Sequence, residues 1–233
     1  MPALIIVGLV VAIGLVVYFS WYAKKRRREE LSRMATQLGL QYSKQDTFGL
    51  LGLPFRLLSQ GDGRGCENVL SGTWQDIPLQ EFDYWYYEES SDSKGNRTKT
   101  YYRFSCVVSQ LPFAASHLTI TRENLFSRMA DHLGFEDINF ESEDFNRRFQ
   151  VTGKDRKFAT DLLDARMMQW LLAEGQTWSY ELSGPYLMCY HKRLRPLELT
   201  PLLGAMKAFR DHVPRVVYGL YGSGASGSVS SGS

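Results

Sequence analysis

Apolar and polar positions along this chain follow several rhythms in turn. From Ala3 to Ala23 there is none, because 21 consecutive positions carry no charge. Leu31, Met34, Ala35 and Leu38 then fall at helical spacing, with Gly39 placed to end the helix. From Glu67 the period becomes 2, and strands are predicted near Glu67 to Trp74, Ile77 to Tyr87, Lys99 to Ser109 and Leu118 to Thr121. The second strand sets Phe82, Tyr84 and Tyr86 on one side and Glu81, Asp83, Trp85 and Tyr87 on the other. A polar connection, Glu88 to Thr98, with its bend at Gly95-Asn96, makes a hairpin of the second and third.

Helical spacing returns at Leu125, Phe126, Met129, Ala130 and Leu133, between Thr121 as N-cap and Gly134 as stop. An acidic connection leads to a predicted strand, Phe145 to Val151. Two short amphipathic helices follow, one on Phe158, Ala159, Leu162 and Leu163, the other on Met167, Met168, Leu171 and Leu172. Trp178, Tyr180 and Leu182 alternate with Ser179, Glu181 and Ser183, and Ser183-Gly184-Pro185 predicts a hairpin turn into Tyr186 to His191. Thr200-Pro201 opens a last helix with Leu202, Leu203, Met206 and Phe209 inward, stopping near Pro214. Grouped strands with helices between and after them indicate an α+β fold: a mostly antiparallel sheet packed with amphipathic helices, behind an N-terminal transmembrane helix.

The transmembrane reading rests on length and on flanks. A helix over Ala3 to Ala23 would be about 30 Å long, the thickness of bilayer hydrocarbon. A cleaved signal peptide would carry its cations before the run and small residues after it, whereas here Trp21 and Tyr22 occupy the cleavage region and Lys24, Lys25, Arg26, Arg27 and Arg28 follow. Tyr18, Trp21 and Tyr22 suit the headgroup level, and five cations after the span with none before it predict an outside N-terminus and a cytoplasmic C-terminal part in the plasma (inner) membrane. The organisation expected is an anchor and basic segment over 1–28, a cytoplasmic domain over 29–221, and a disordered Gly/Ser tail over 222–233.

Charge and cysteines narrow the function. The chain has 27 Lys+Arg against 25 Asp+Glu, so with the juxtamembrane cations set aside the remainder is mildly acidic, which argues against nucleic acid as a partner. Cys66, Cys106 and Cys189 stand far apart without a CxxC, as expected in a reducing compartment. No histidine pair has ligand spacing and no serine sits in a G-x-S-x-G elbow; no cofactor, metal or catalytic set is expected. The acidic segment 136–144 has part of a calcium-loop pattern, but Ser142 stands where its glycine should be. The aromatic run is the unusual feature. Trp85, Tyr87 and Tyr101 share the outer face, where they either form a docking surface for a partner protein or are covered by helices.

Asn68-Val69-Leu70-Ser71-Gly72, Phe82-Asp83-Tyr84, and Asp137 to Ser142 leading to Phe145 through Val151 resemble a family of uncharacterised bacterial single-pass membrane-anchored proteins with a cytoplasmic α+β domain. The resemblance implies a fold and a location, and no reaction. The expected function is a membrane-held scaffold or protein-binding module whose partners are the bilayer and another membrane or cytoplasmic protein. The alternative is a tethered enzyme or small-ligand domain with a scattered site, for which Asp83, Glu141, Asp144 and His191 are the candidates.

Overall fold

The computed structural model describes residues 2–93, 95–122 and 134–222, with the side chains of 2–5, 7, 9 and 10 outside the description. The helix expected over 121–134 therefore lies outside it, apart from Thr121 and Arg122, which are strand, and Gly134, which is a turn. The expected tail lies outside it from residue 223.

A single helix, α1 (Pro2–Leu38), runs unbroken from the apolar run through the basic cluster and ends where Gly39 turns to φ 71°. Among the described residues no helix is long and apolar enough to cross a membrane. The segment expected to span takes in six of the positions whose side chains are undescribed.

Seven strands form one antiparallel sheet: β1 (Gln41–Gln45), β2 (Gly63–Trp74), β3 (Ile77–Ser91), β4 (Arg97–Arg122), β5 (Glu136–Asp137), β6 (Phe149–Gly153) and β7 (Ser179–Lys192). Their order is β1-β2-β3-β4-β6-β5, with β7 also paired to β4. The first half of β4 is flanked by β3 and β7, its second half by β7 and β6. On the front face, α1 and the helices α3 (Arg156–Leu162), α4 (Ala165–Ala173), α5 (Leu199–His212) and α6 (Arg215–Tyr221) pack on Leu70, Leu79, Val107, Leu118, Tyr180 and Cys189. On the back face, Leu50, Phe55, Leu57 and Leu58 cover Val69, Phe82, Tyr84, Phe104, Cys106, Met188 and Tyr190.

The fold corrects several sequence expectations. Ser183-Gly184-Pro185 is no hairpin turn. β7 runs straight through it, and Gly184 at φ 55° sits in an irregularity that faces another in β4 between Gln110 and Leu118. Each irregularity shifts the alternation by one. Even positions (Tyr180, Leu182) face front before Gly184 and odd ones (Leu187, Cys189) after it, so both long strands keep an apolar front. A phase change in period 2 reads as a turn when the chain in fact bulges. The two strands expected at Lys99 to Ser109 and Leu118 to Thr121 are likewise one strand, β4.

Phe145 to Arg148 are not strand but part of α2 (Glu143–Arg148). Ser142 Oγ accepts from the Phe145 N–H at 3.3 Å, acids fill the first turn and arginines the last, which are the helix signals that the apolar pattern masked. Neither β1 nor α6 had been expected. Each is short, and isolated apolar positions carry little periodicity.

Candidate functional site

The outer face of β3, the side of Glu81, Asp83, Trp85 and Tyr87, is closed at its base by the docked half of α1. Arg27 lies four residues before Leu31, seven before Met34 and eleven before Leu38, so it falls on the helix's apolar stripe. That spacing is the signal that it is a core-facing residue rather than one more juxtamembrane cation. It grips Asp83 with both edges of its fork: Nε donates to Oδ2 at 2.7 Å and Nη2 to Oδ1 at 2.5 Å, while Nη1 donates to the Leu194 carbonyl at 2.7 Å. Bidentate charged pairs of this kind are the strong ones.

Asp83 collects further donors. Asn68 Nδ2 reaches Oδ2 at 2.9 Å, Tyr42 Oη donates to Asn68 Oδ1 at 2.9 Å, and Arg193 Nη2 stands 3.5 Å from Oδ2. Asn68 can do this because β2 bulges there, at φ 57°, a left-handed conformation that asparagine tolerates better than most residues. Burial opposes the Arg27 charge, but the hydrogen bonds and the field of Asp83 outweigh it and hold its pKa above the ordinary value. For Arg193 burial prevails, aided by Arg27, and its pKa is lowered. Of the other cluster cations, Arg28 stands 3.8 Å from Glu67, whereas Lys24, Lys25 and Arg26 are exposed; Lys25 Nζ lies 5.5 Å from the Trp21 ring. Tyr22 is exposed and stacks on Tyr18 with ring centres 6.3 Å apart.

Glu81, two residues earlier on the same face, is 1 % exposed, and neither carboxylate oxygen has a hydrogen-bond partner among the described residues. Burial first, and the Asp83 charge second, push its pKa well up, against a smaller pull from Arg27.

Beyond the helix the same face carries the aromatic group. Trp85 and Tyr87 are half-buried and Tyr101 is 46 % exposed. Trp85 and Tyr87 stack with ring centres 6.4 Å apart, and Tyr101 lies 5.3 Å from Tyr87 and 6.0 Å from Trp85. The rings lie over glycines of β2. A Cβ at Gly65 would meet the Trp85 ring at 2.6 Å, and one at Gly63 would meet the Tyr87 ring within the same short range. Lys99 Nζ stands 4.2 Å over Tyr87 and Arg103 5.2 Å over Tyr101. Trp85 and Tyr87 are about 7 and 13 Å beyond Asp83 along the strand at roughly 3.3 Å per residue.

The back face has a buried carboxylate of its own, Glu181, which the alternation sets opposite Tyr180 and Leu182 and which is 0 % exposed. Strand β7 is covered on both sides, so alternation could not reveal its burial. Glu181 accepts from the backbone N–H of Arg56 and of Leu57, the latter at 3.3 Å, and its Oε1 lies 2.6 Å from His117 Nε2. Arg56 is itself buried, donates to Thr152 Oγ1 at 3.2 Å and lies 4.6 Å over the Phe135 ring.

The scattered acids and histidine do not meet. Asp83 and His191 both neighbour Ser105 across the strands, which sets them about 10 Å apart, two strand spacings of roughly 4.8 Å. Glu141 is exposed on the acidic connection, and Asp144 is exposed and paired with Arg147. Among the described residues no three His, Cys, Asp or Glu side chains gather as a metal site. Burial pushes the thiols of Cys66, Cys106 and Cys189 up, away from the reactive thiolate.

No family model matches the sequence and no curated protein is significantly similar to it, so the family resemblance remains an expectation. The fold is shared with a solved structure, the crystal structure of the mycobacterial trehalose monomycolate transport factor A, TtfA. The two align over 81% of this chain and 96% of that one, with a TM-score of 0.59 and 11% identity.

Proposed function

We propose that this chain is a single-pass protein of the plasma (inner) membrane, N-terminus outside, whose cytoplasmic α+β domain is a scaffold or protein-binding module accessory to transport across that membrane. The observation that carries the reading is the two-part character of α1. Val11, Ile13, Leu15, Val16, Val17 and Phe19 are each more than half exposed among the described residues, and one turn past Ala23 the same helix is locked to Asp83. An apolar helix left uncovered asks for an apolar solvent, and its continuity with the docked half would hold the domain at the membrane in one orientation. The fold shared with a transport factor supports the accessory role.

The docking surface in this reading is the face of Trp85, Tyr87 and Tyr101, rigid amphipathic rings of the kind that anchor interfaces. Affinity capture of the full-length chain from mild-detergent membranes, against an anchor-only control, tests it. Wild type should retain a reproducible partner that W85S/Y87S and the gentler Y101S both lose while their thermal melts stay cooperative. An unchanged set of retained proteins in all three would remove the docking face.

A further inference from the structure

Helix α1 leaves a groove of about 600 Å³ between its Arg26-to-Gln37 flank and the 3-10 turn Pro196–Glu198. The helix contributes Arg26, Glu30, Arg33 and Met34 to its walls, and the opposite side contributes Arg195 and Leu197. Three guanidinium groups line it against Glu30, and Glu198 at the end of the turn pairs with Arg195, so a net charge of one positive unit remains. Arg26 Nε donates to Glu30 at 2.8 Å and Arg195 Nη2 to Glu198 at 2.5 Å, which leaves each fork with further N–H donors; Arg33 pairs with no carboxylate among the described residues.

Leu197 is 91 % exposed at the tip of this turn. The turn is held by Pro196 and by the Arg195 backbone N–H donating to Glu198 Oε2 at 2.9 Å. A leucine fixed in solvent beside arginines complements an amphiphile, with cations for its anionic head and apolar surface for the first methylenes. The groove's height fits as well. Because the Leu194 carbonyl accepts from Arg27, the neighbouring Arg195 hangs near the level of Arg26, and Arg26 is three residues past Ala23, about 4.5 Å along the helix.

We propose that this groove binds the phosphate of an anionic phospholipid from the leaflet facing the domain, with Arg26 and Arg195 on the phosphate and Leu197 against the proximal acyl methylenes. The inference rests on the membrane reading above. Arginine's planar fork suits phosphate, and a site at this height would fix the domain's rotation about α1 as well as its distance from the bilayer.

The test uses the full-length chain in nanodiscs of equimolar phosphatidylglycerol and phosphatidylcholine, with native mass spectrometry of the lipid that stays bound. Wild type should retain phosphatidylglycerol enriched at least about fivefold, the gain of roughly one basic residue at an anionic surface. R26Q/R195Q should return to the bulk ratio and L197S should lower total retention. K24Q/K25Q, which removes the same charge outside the groove, should keep the enrichment. Equal losses in the two charge doubles, or a bulk ratio in wild type, would overturn the groove while leaving the membrane reading intact. A chain that does not enter nanodiscs would overturn both.

Discussion

On the front face α1 is fastened to Asp83 by a guanidinium; on the back face the segment around Arg56 and Leu57 is fastened to Glu181 by two backbone amides and an imidazole. Both latches centre on a carboxylate buried in the sheet and close a covering segment distant in sequence. They differ in what holds them. The back latch draws on amides that every residue but proline supplies, so no single side-chain change in the covering segment removes it. The front latch hangs on one side chain, and its loss leaves an aspartate buried beside the equally buried Glu81. The segment that joins the apolar run to the domain is thus the one whose buried polar fastening a single substitution can remove, leaving the packing of Leu31, Met34 and Ala35 to hold it.

The largest effect should come from breaking that latch on one side only. Arg27→Ala should destabilise the full chain in detergent by about 3–5 kcal/mol, the usual cost of stranding a buried charge, whereas R27M/D83L should recover most of it. Urea unfolding followed by far-UV circular dichroism reads both. A double variant as unstable as the single would mean that Arg27 acts through packing rather than charge.

A smaller effect sharpens the contrast between Asp83, surrounded by donors, and Glu81, which has none among the described residues. Glu81's folded pKa lies above its unfolded value, so the folded state holds the proton more tightly. Its contribution to stability is complete below about pH 4.3 and is lost as pH rises through the folded value. Glu81→Gln should therefore raise the urea midpoint at pH 8, leave it nearly unchanged at pH 4, and flatten the wild-type decline between them. A midpoint lowered equally at both pH values would mean that the carboxyl is valued for its shape and not for its proton.

The sequence disclosed sides more readily than coverings. Alternation in β3 separates Phe82, Tyr84 and Tyr86 from Glu81, Asp83, Trp85 and Tyr87, and the structure keeps that division. It could not disclose that a helix whose Arg27 lies 56 residues before Asp83 covers two of the acids, because charge in a strand is read as exposure. Arg27 on the apolar stripe of α1 was the available sign, hidden inside a run of five cations whose other members face solvent or the rim. Glu181 gave no such sign. Two of its partners are backbone N–H groups, which no side-chain pattern encodes, and the third, His117, lies 64 residues away. The Gly184 bulge was misread for a related reason, since turn residues mark a change of phase whether the chain reverses or continues.

Hydrogen exchange with mass spectrometry across Arg27 to Leu38 tests most directly whether the end of α1 is part of the domain or only a tether to it. The account predicts amide protection there comparable to the paired core of β3 and β4, matched by the back-face segment at Leu57–Ser59, and selectively lost on α1 in Arg27→Ala. Exchange over 27–38 as fast as at the β3–β4 hairpin tip in the wild-type chain would contradict it, leaving α1 a loose leash on an independently closed sheet.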